Sequence, residues 1–191
     1  AGELEDLCAE ARRGGSEVWV ANMNAPGQVV VSGTSVGVAA VAALASPLGF
    51  KLVPLPVGGG FHSPLMEDAL PALRQALSAV TFADHHVPVV ANVDGLPHRD
   101  GRRWPELAAR QLTSPVLWER SVRWLAGRVP GPLVELGPGR TLAGMVRRIS
   151  PTTEVTSVSS PADAASLAGS LTGRAGGKVP RGRETQRCPT V

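Results

Sequence analysis

The chain has 191 residues, 43% apolar and 18% charged, with a net charge of +3, 22 glycines and 17 prolines. That balance is too apolar for a disordered chain and too rich in turn formers for a coiled coil. No apolar run reaches the roughly 18 residues of a membrane span, and no basic segment followed by an apolar stretch opens the chain.

Leu4, Leu7, Cys8 and Ala11 recur at helical spacing, predicting a helix over Glu3–Arg13 that Gly14 and Gly15 stop. Val18–Asn22 and Gln28–Val31 read as strands joined by the turn cluster Asn24–Gly27. An Ala/Val-rich helix over Ser35–Leu48 and a short strand over Phe50–Pro56 follow. The order helix, strand, strand, helix, strand is a ferredoxin-like unit without its first strand. After Gly58-Gly59-Gly60, the spacing of Met66, Leu70, Leu73, Leu77 and Val80 predicts an amphipathic helix kinked at Pro71. A strand over Val87–Val93, helices over Trp104–Leu112 and Pro115–Ala126, a strand over Leu133–Leu136 and a helix to Ile149 come next. A strand over Glu154–Val158 and a helix over Ala162–Leu171 complete an α/β pattern with a parallel sheet. The expected division is residues 1–57, 58–171 and a disordered basic tail at 172–191 that holds Arg174, Lys178, Arg181, Arg183 and Arg187.

The tail holds the basic excess, and aromatics are not interleaved with it, so a nucleic-acid surface is not indicated. Cys8 and Cys188 have neither disulfide nor zinc spacing, which fits a reducing, cytoplasmic setting. His85, His86 and His98 lie near Asp84, Asp94 and Asp100, but the adjacent pair lacks ligand spacing and no metal is expected. Gly33-Thr34-Ser35-Val36-Gly37 matches G-x-S-x-G between a strand and a helix, the form of a nucleophile elbow. No acid lies between Ser35 and His62, and the competing reading is a tight turn capped by Thr34 or Ser35. His62, after three glycines and Phe61, is the stronger candidate for a proton shuttle, against a structural or capping role. Gly137-Pro138-Gly139-Arg140 could cradle an anion at a helix start, with close strand-to-helix packing as the alternative.

Five stretches carry a family resemblance: Ala21–Val30, Gly60–Met66, Pro88–Gly95, Gln111–Val116 and Glu135–Arg140. In this order they resemble the C-terminal part of the malonyl-CoA:acyl-carrier-protein transacylases, the acyltransferase family of fatty acid and polyketide synthesis. The resemblance implies a fold made of the ferredoxin-like subdomain plus the C-terminal part of an α/β-hydrolase-like core. It implies malonyl transfer through a serine ester to the phosphopantetheine thiol of acyl carrier protein, with no cofactor. His62 is then the general base, a backbone carbonyl at Gln111 orients it, and Phe61 stands at the position that selects malonyl over methylmalonyl. Asn22 and Asn24 line the substrate pocket or stabilise their turn. The family's nucleophilic serine, its carboxylate-binding arginine and its oxyanion-hole glutamine match nothing in residues 1–191. The expectation is therefore the back half of a discrete enzyme, partnered by the missing front half and inactive alone. Two alternatives remain at this point: a small serine hydrolase using Ser35 and His62, and a non-catalytic module that docks acyl carrier protein through its arginines.

Overall fold

The computed structural model describes residues 2–128 and 130–175. Helix α1 (Gly2–Arg13) opens with Glu3 and Glu5 and closes with Arg12 and Arg13, each charge matched to its end of the helix dipole. Strands β1 (Val18–Ala25) and β2 (Gln28–Gly33) form an antiparallel hairpin. β1 runs through Asn24 and Ala25, so the turn is Pro26-Gly27, shorter than the expected cluster. Helix α2 (Ser35–Ala45) ends in a 3-10 turn at Ser46–Leu48. Cys8, Ala11, Val18, Val20 and Val41 pack together, joining α1, β1 and α2 in one core. Each buried valine there contributes on the order of 1.5–3 kcal/mol of hydrophobic transfer. Burial also pushes the Cys8 thiol above its ordinary pKa, only partly opposed by Arg12, which suits an inert core residue.

The expected strand at Phe50–Pro56 does not form. Pro54 and Pro56 have no N–H to give a ladder, and the Val57 N–H donates to the nearby Leu55 carbonyl instead. Leu52, Val53, Leu55 and Val57 stay exposed. In a ferredoxin-like unit the last strand pairs with the first, and no such strand lies among the described residues. The helix–strand–strand–helix portion is therefore what the chain builds.

Beyond it, a 3-10 turn at Pro64–Ala69 leads into α3 (Leu70–Ser78). Pro71 sits in the first turn of α3, where a missing N–H costs nothing, and is not a mid-helix kink. β3 (Val89–Ala91) and β4 (Leu96–His98) make a hairpin shorter than the expected strand Val87–Val93. Helix α4 (Trp104–Thr113) matches expectation, whereas α5 (Trp118–Ala126) begins three residues late. Pro115, Val116 and Leu117 are held out of the helix: the Val116 N–H donates to Ala21 (2.8 Å), the Met23 N–H donates to Val116 (2.9 Å) and the Leu117 N–H donates to Asn92 (2.8 Å). β5 (Leu133–Leu136) and β6 (Val155–Val158) pair in parallel around α6 (Thr141–Ile149), giving a second core of Ala25, Val122, Val146 and Ile149. β1 thus contributes Val18 and Val20 to one core and Ala25 to the other. The Arg148 guanidinium fastens the hairpin tip, donating to Gln28 Oε1 (2.8 Å) and the Pro26 carbonyl (3.0 Å). Helix α7 (Pro161–Ala175) extends past Leu171, so residues 172–175 are helical backbone, and the rest of the expected tail lies outside the described residues. No described helix is long and apolar enough to cross a membrane.

Candidate active site

The site is built on the turn Gly60-Phe61-His62-Ser63. His62 has φ of 58°, the one non-glycine residue in left-handed backbone among those described. A side chain held there costs about 1–3 kcal/mol and persists only where surrounding contacts enforce it, a pattern that concentrates at functional sites. The contacts are present. The Ser63 hydroxyl, fully buried, donates to the Gly60 carbonyl (2.6 Å) and accepts from the Leu65 N–H (3.3 Å). A Cβ at Gly60 would lie 2.8 Å from Leu65 Cδ1 and 3.0 Å from its Cβ, so glycine permits this tight closure.

From this turn His62 Nδ1 reaches the main-chain carbonyl of Gln111 at 3.1 Å. The carbonyl is available for a local reason. Gln111 lies in the last turn of α4, and the residue four positions on, which would normally donate to it, is Pro115. The Gln111 amide Nε2 stands 3.4 Å from the same ring nitrogen but is spent on the Ser114 (2.8 Å) and Pro115 (3.4 Å) carbonyls. Nδ1 is therefore assigned as the protonated nitrogen, donating to Gln111, which leaves Nε2 with its lone pair available as a base. A neutral carbonyl orients the ring here in the place that a carboxylate fills in a Ser-His-Asp triad.

The other expected residues cluster less tightly. Phe61 is adjacent to His62 and 50% exposed. Asn22 bridges to Val116, just beyond the Gln111–Pro115 segment, and Asn24 lies farther along β1. Neither asparagine side chain is hydrogen-bonded within the described residues. An open cavity of about 430 Å³ is lined by Met23, Val29, Leu117, Arg120 and Arg123; His62 is not in its walls.

Ser35 is exposed at the start of α2, and His62 bonds to Gln111. The glycines around Ser35 have a packing function: a Cβ at Gly33 or Gly37 would come within 2.2 or 2.3 Å of the Glu17 carbonyl. Thr34 caps the helix by accepting from the Gly37 N–H at 3.1 Å. Gly137–Arg140 also has an internal occupant. The Glu135 carboxylate accepts from Leu142 N–H (3.0 Å), Ala143 N–H (3.1 Å) and the Ser157 hydroxyl (3.0 Å) at the start of α6. Desolvation alone would raise this carboxyl, but those bonds and Arg147 outweigh it and hold its pKa below the usual glutamate value. His98 is buried with Nε2 at 3.0 Å from the Asp94 carboxylate, and His85 and His98 meet Trp104 edge-on. Among the described residues no group of three or more His, Cys, Asp or Glu could hold a metal.

Sequence reasoning missed Ser63 and Pro115. The Ser-Pro pair opening a helical turn signals the first, and a proline four residues after a glutamine near a helix end signals the second.

No family model matches the chain. It is 36% identical over 159 residues to the malonyl CoA-acyl carrier protein transacylase of Bacillus subtilis, covering 83% of this chain and 50% of that one. The crystal structure of malonyl-CoA:acyl carrier protein transacylase from Xanthomonas oryzae superposes with a TM-score of 0.82 at 33% identity, covering 89% of this chain and 54% of the other. A malonyl-transacylase solved in complex with its type II polyketide acyl-carrier protein gives 0.84 at 30% identity, covering 89% and 55%. The chain thus spans about half the length of the relatives it matches.

Proposed function

The chain belongs to the malonyl-CoA:acyl-carrier-protein transacylase family over about half its relatives' length, and on that premise we propose that it supplies the proton-transfer half of malonyl transfer. The donor is malonyl-CoA and the acceptor is the phosphopantetheine thiol of an acyl carrier protein. The observation that carries the reading is the His62–Gln111 bond on a strained turn.

The steps follow from the protonation pattern. His62 Nε2 takes the proton of a serine hydroxyl as its oxygen attacks the malonyl thioester, and returns it to the departing CoA thiolate. In the second half-reaction the same nitrogen takes the proton of the carrier thiol as sulfur attacks the ester, then protonates the released serine. Nδ1–H stays on the Gln111 carbonyl throughout and stabilises the imidazolium formed in each half. Phe61, exposed beside the base, is positioned to exclude an α-methyl group, and Asn22 and Asn24 bring unspent amides to the substrate side of β1.

The attacking serine is proposed to come from a second segment outside residues 1–191, because the Gly33–Gly37 turn that carries Ser35 is explained by glycine packing on Glu17 and by the Thr34 cap. The test is incubation of the 191-residue chain with malonyl-CoA and intact-mass measurement. No serine-linked malonyl adduct is expected; an adduct abolished by His62→Ala would overturn the assignment of the nucleophile. Grafting residues 1–191 onto the complementary half of the Bacillus subtilis relative tests the base. Malonyl transfer by that chimera should fall by about 10²–10⁴-fold with His62→Ala, and an unchanged rate would refute the role.

A further inference from the structure

We propose that Ser63 is a positioning residue for His62, acting through the backbone of the turn and not by touching substrate. The proposal rests on the reading of His62 as the base, and it adds a requirement that the His62–Gln111 bond does not itself express. Three observations converge on it. His62 alone among the described non-glycine residues holds a positive φ. The next side chain, Ser63, is one of the few polar groups with no exposure at all. Its hydroxyl satisfies both of its roles inside the same turn, donating to the carbonyl two residues before His62 and accepting from the N–H three residues after it.

That arrangement brackets His62. Gly60 and Leu65 are pinned to one oxygen atom, and Gly60 lacks the Cβ that would push Leu65 away. With both ends fixed, the intervening backbone closes in the left-handed region and His62 projects its ring across to α4. Without the hydroxyl the Gly60 carbonyl and the Leu65 N–H lose their partner, and His62 is free to return to the broad φ-negative basins that histidine prefers. The ring then leaves the Gln111 carbonyl, and the protonated nitrogen is no longer fixed as Nδ1. Nothing in this role requires Ser63 to donate or receive a proton during turnover, so it is distinct from nucleophile and base.

The experiment uses ¹⁵N-labelled 191-residue chain and reads the tautomer of the deprotonated His62 imidazole from ring nitrogen shifts and two-bond couplings at alkaline pH. The wild type is expected to show a single neutral Nδ1–H form. Ser63→Ala should lose it, giving averaged ring nitrogens, with the Val18 and Val122 amides keeping their native shifts. Ser63→Thr retains the hydroxyl and should retain the wild-type signature. Ser63→Cys, a close match in volume with a weaker donor, serves if the alanine variant fails to fold, and should give an intermediate shift. A wild-type tautomer signature in Ser63→Ala or Ser63→Cys, or loss of it in Ser63→Thr, overturns the proposal. Loss of transfer with His62→Ala in the chimera is a separate readout, so the base assignment and the positioning role can fail independently.

Discussion

Two valine-rich runs flank helix α2. Gln28–Gly33 before it lies along β1 in continuous register from Val18–Gly33 to Ala25–Gln28, apart from two bulges, and its side chains are half-buried. Leu52–Val57 after it carries more aliphatic side chains, four in six against three, and remains exposed without a ladder. Intrinsic preference does not separate them. A strand forms where a neighbour offers paired donors and acceptors and where burial rewards the side chains. Gln28–Gly33 has both, while prolines at 54 and 56 cancel donors in the second run, and no neighbour completes it.

The same substitution, placed once in the β1–β2 ladder and once in the second run, should separate them most clearly. Val20→Ser, in the strand opposite β2 and 5% exposed, removes buried hydrocarbon and buries a hydroxyl. Together these should cost about 3 kcal/mol, seen as a lower midpoint in urea. A second break concerns the segment that bridges to β1. Pro115→Ala restores an N–H able to compete for the Gln111 carbonyl. A competing bond of about 0.5–1.5 kcal/mol should weaken the His62 Nδ1–H signal and lengthen α4 by a residue or more, measurable by amide shifts. A milder test addresses β5 and α6. Glu135 has a depressed pKa, so its contribution is fully present above the ordinary glutamate range and is lost as pH falls through the lower folded value. The Leu142 and Ala143 amide resonances should move together in that acid window, and in Glu135→Gln they should no longer titrate. The smallest effect is expected at Val53→Ser, 66% exposed, where stability should stay within about 0.5 kcal/mol. A loss comparable to that of Val20→Ser would show that Leu52–Val57 has a partner after all.

Legibility followed the same division between local and partnered structure. Elements with strong periodicity of their own, such as α1, α4 and β5, fall where the pattern puts them. The largest departures are Phe50–Pro56, the kink at Pro71 and the start of α5, each decided by contacts distant in sequence or by which N–H groups a proline removes. At the site, physical reading alone left His62 as a proton shuttle or a structural residue; the resemblance supplied Gln111. The reason that carbonyl is vacant was written in the spacing from Gln111 to Pro115, yet the left-handed turn at His62 and its clamp by Ser63 were not. A positive φ on histidine has no composition signal, and only assembled backbone reveals it. Gly33 and Gly37 illustrate the converse, a motif with a catalytic form whose glycines are explained by the Glu17 carbonyl packed against them.

The grip of Arg148 on Gln28 and Pro26 has a consequence for the order of assembly. The hairpin tip leaves the ribosome some 120 residues before the side chain that fastens it, and a contact of that span closes late because its loop entropy must be met first. During synthesis the strands β1 and β2 can pair and the Cys8 core can form, while the tip stays unfastened until α6 has folded beside it. Ala25, which belongs to the core of α5 and α6, waits for the same event. The two ends of one eight-residue strand therefore mature at different times, and truncation before Arg148 should leave a hairpin that is anchored at its base and frayed at its turn.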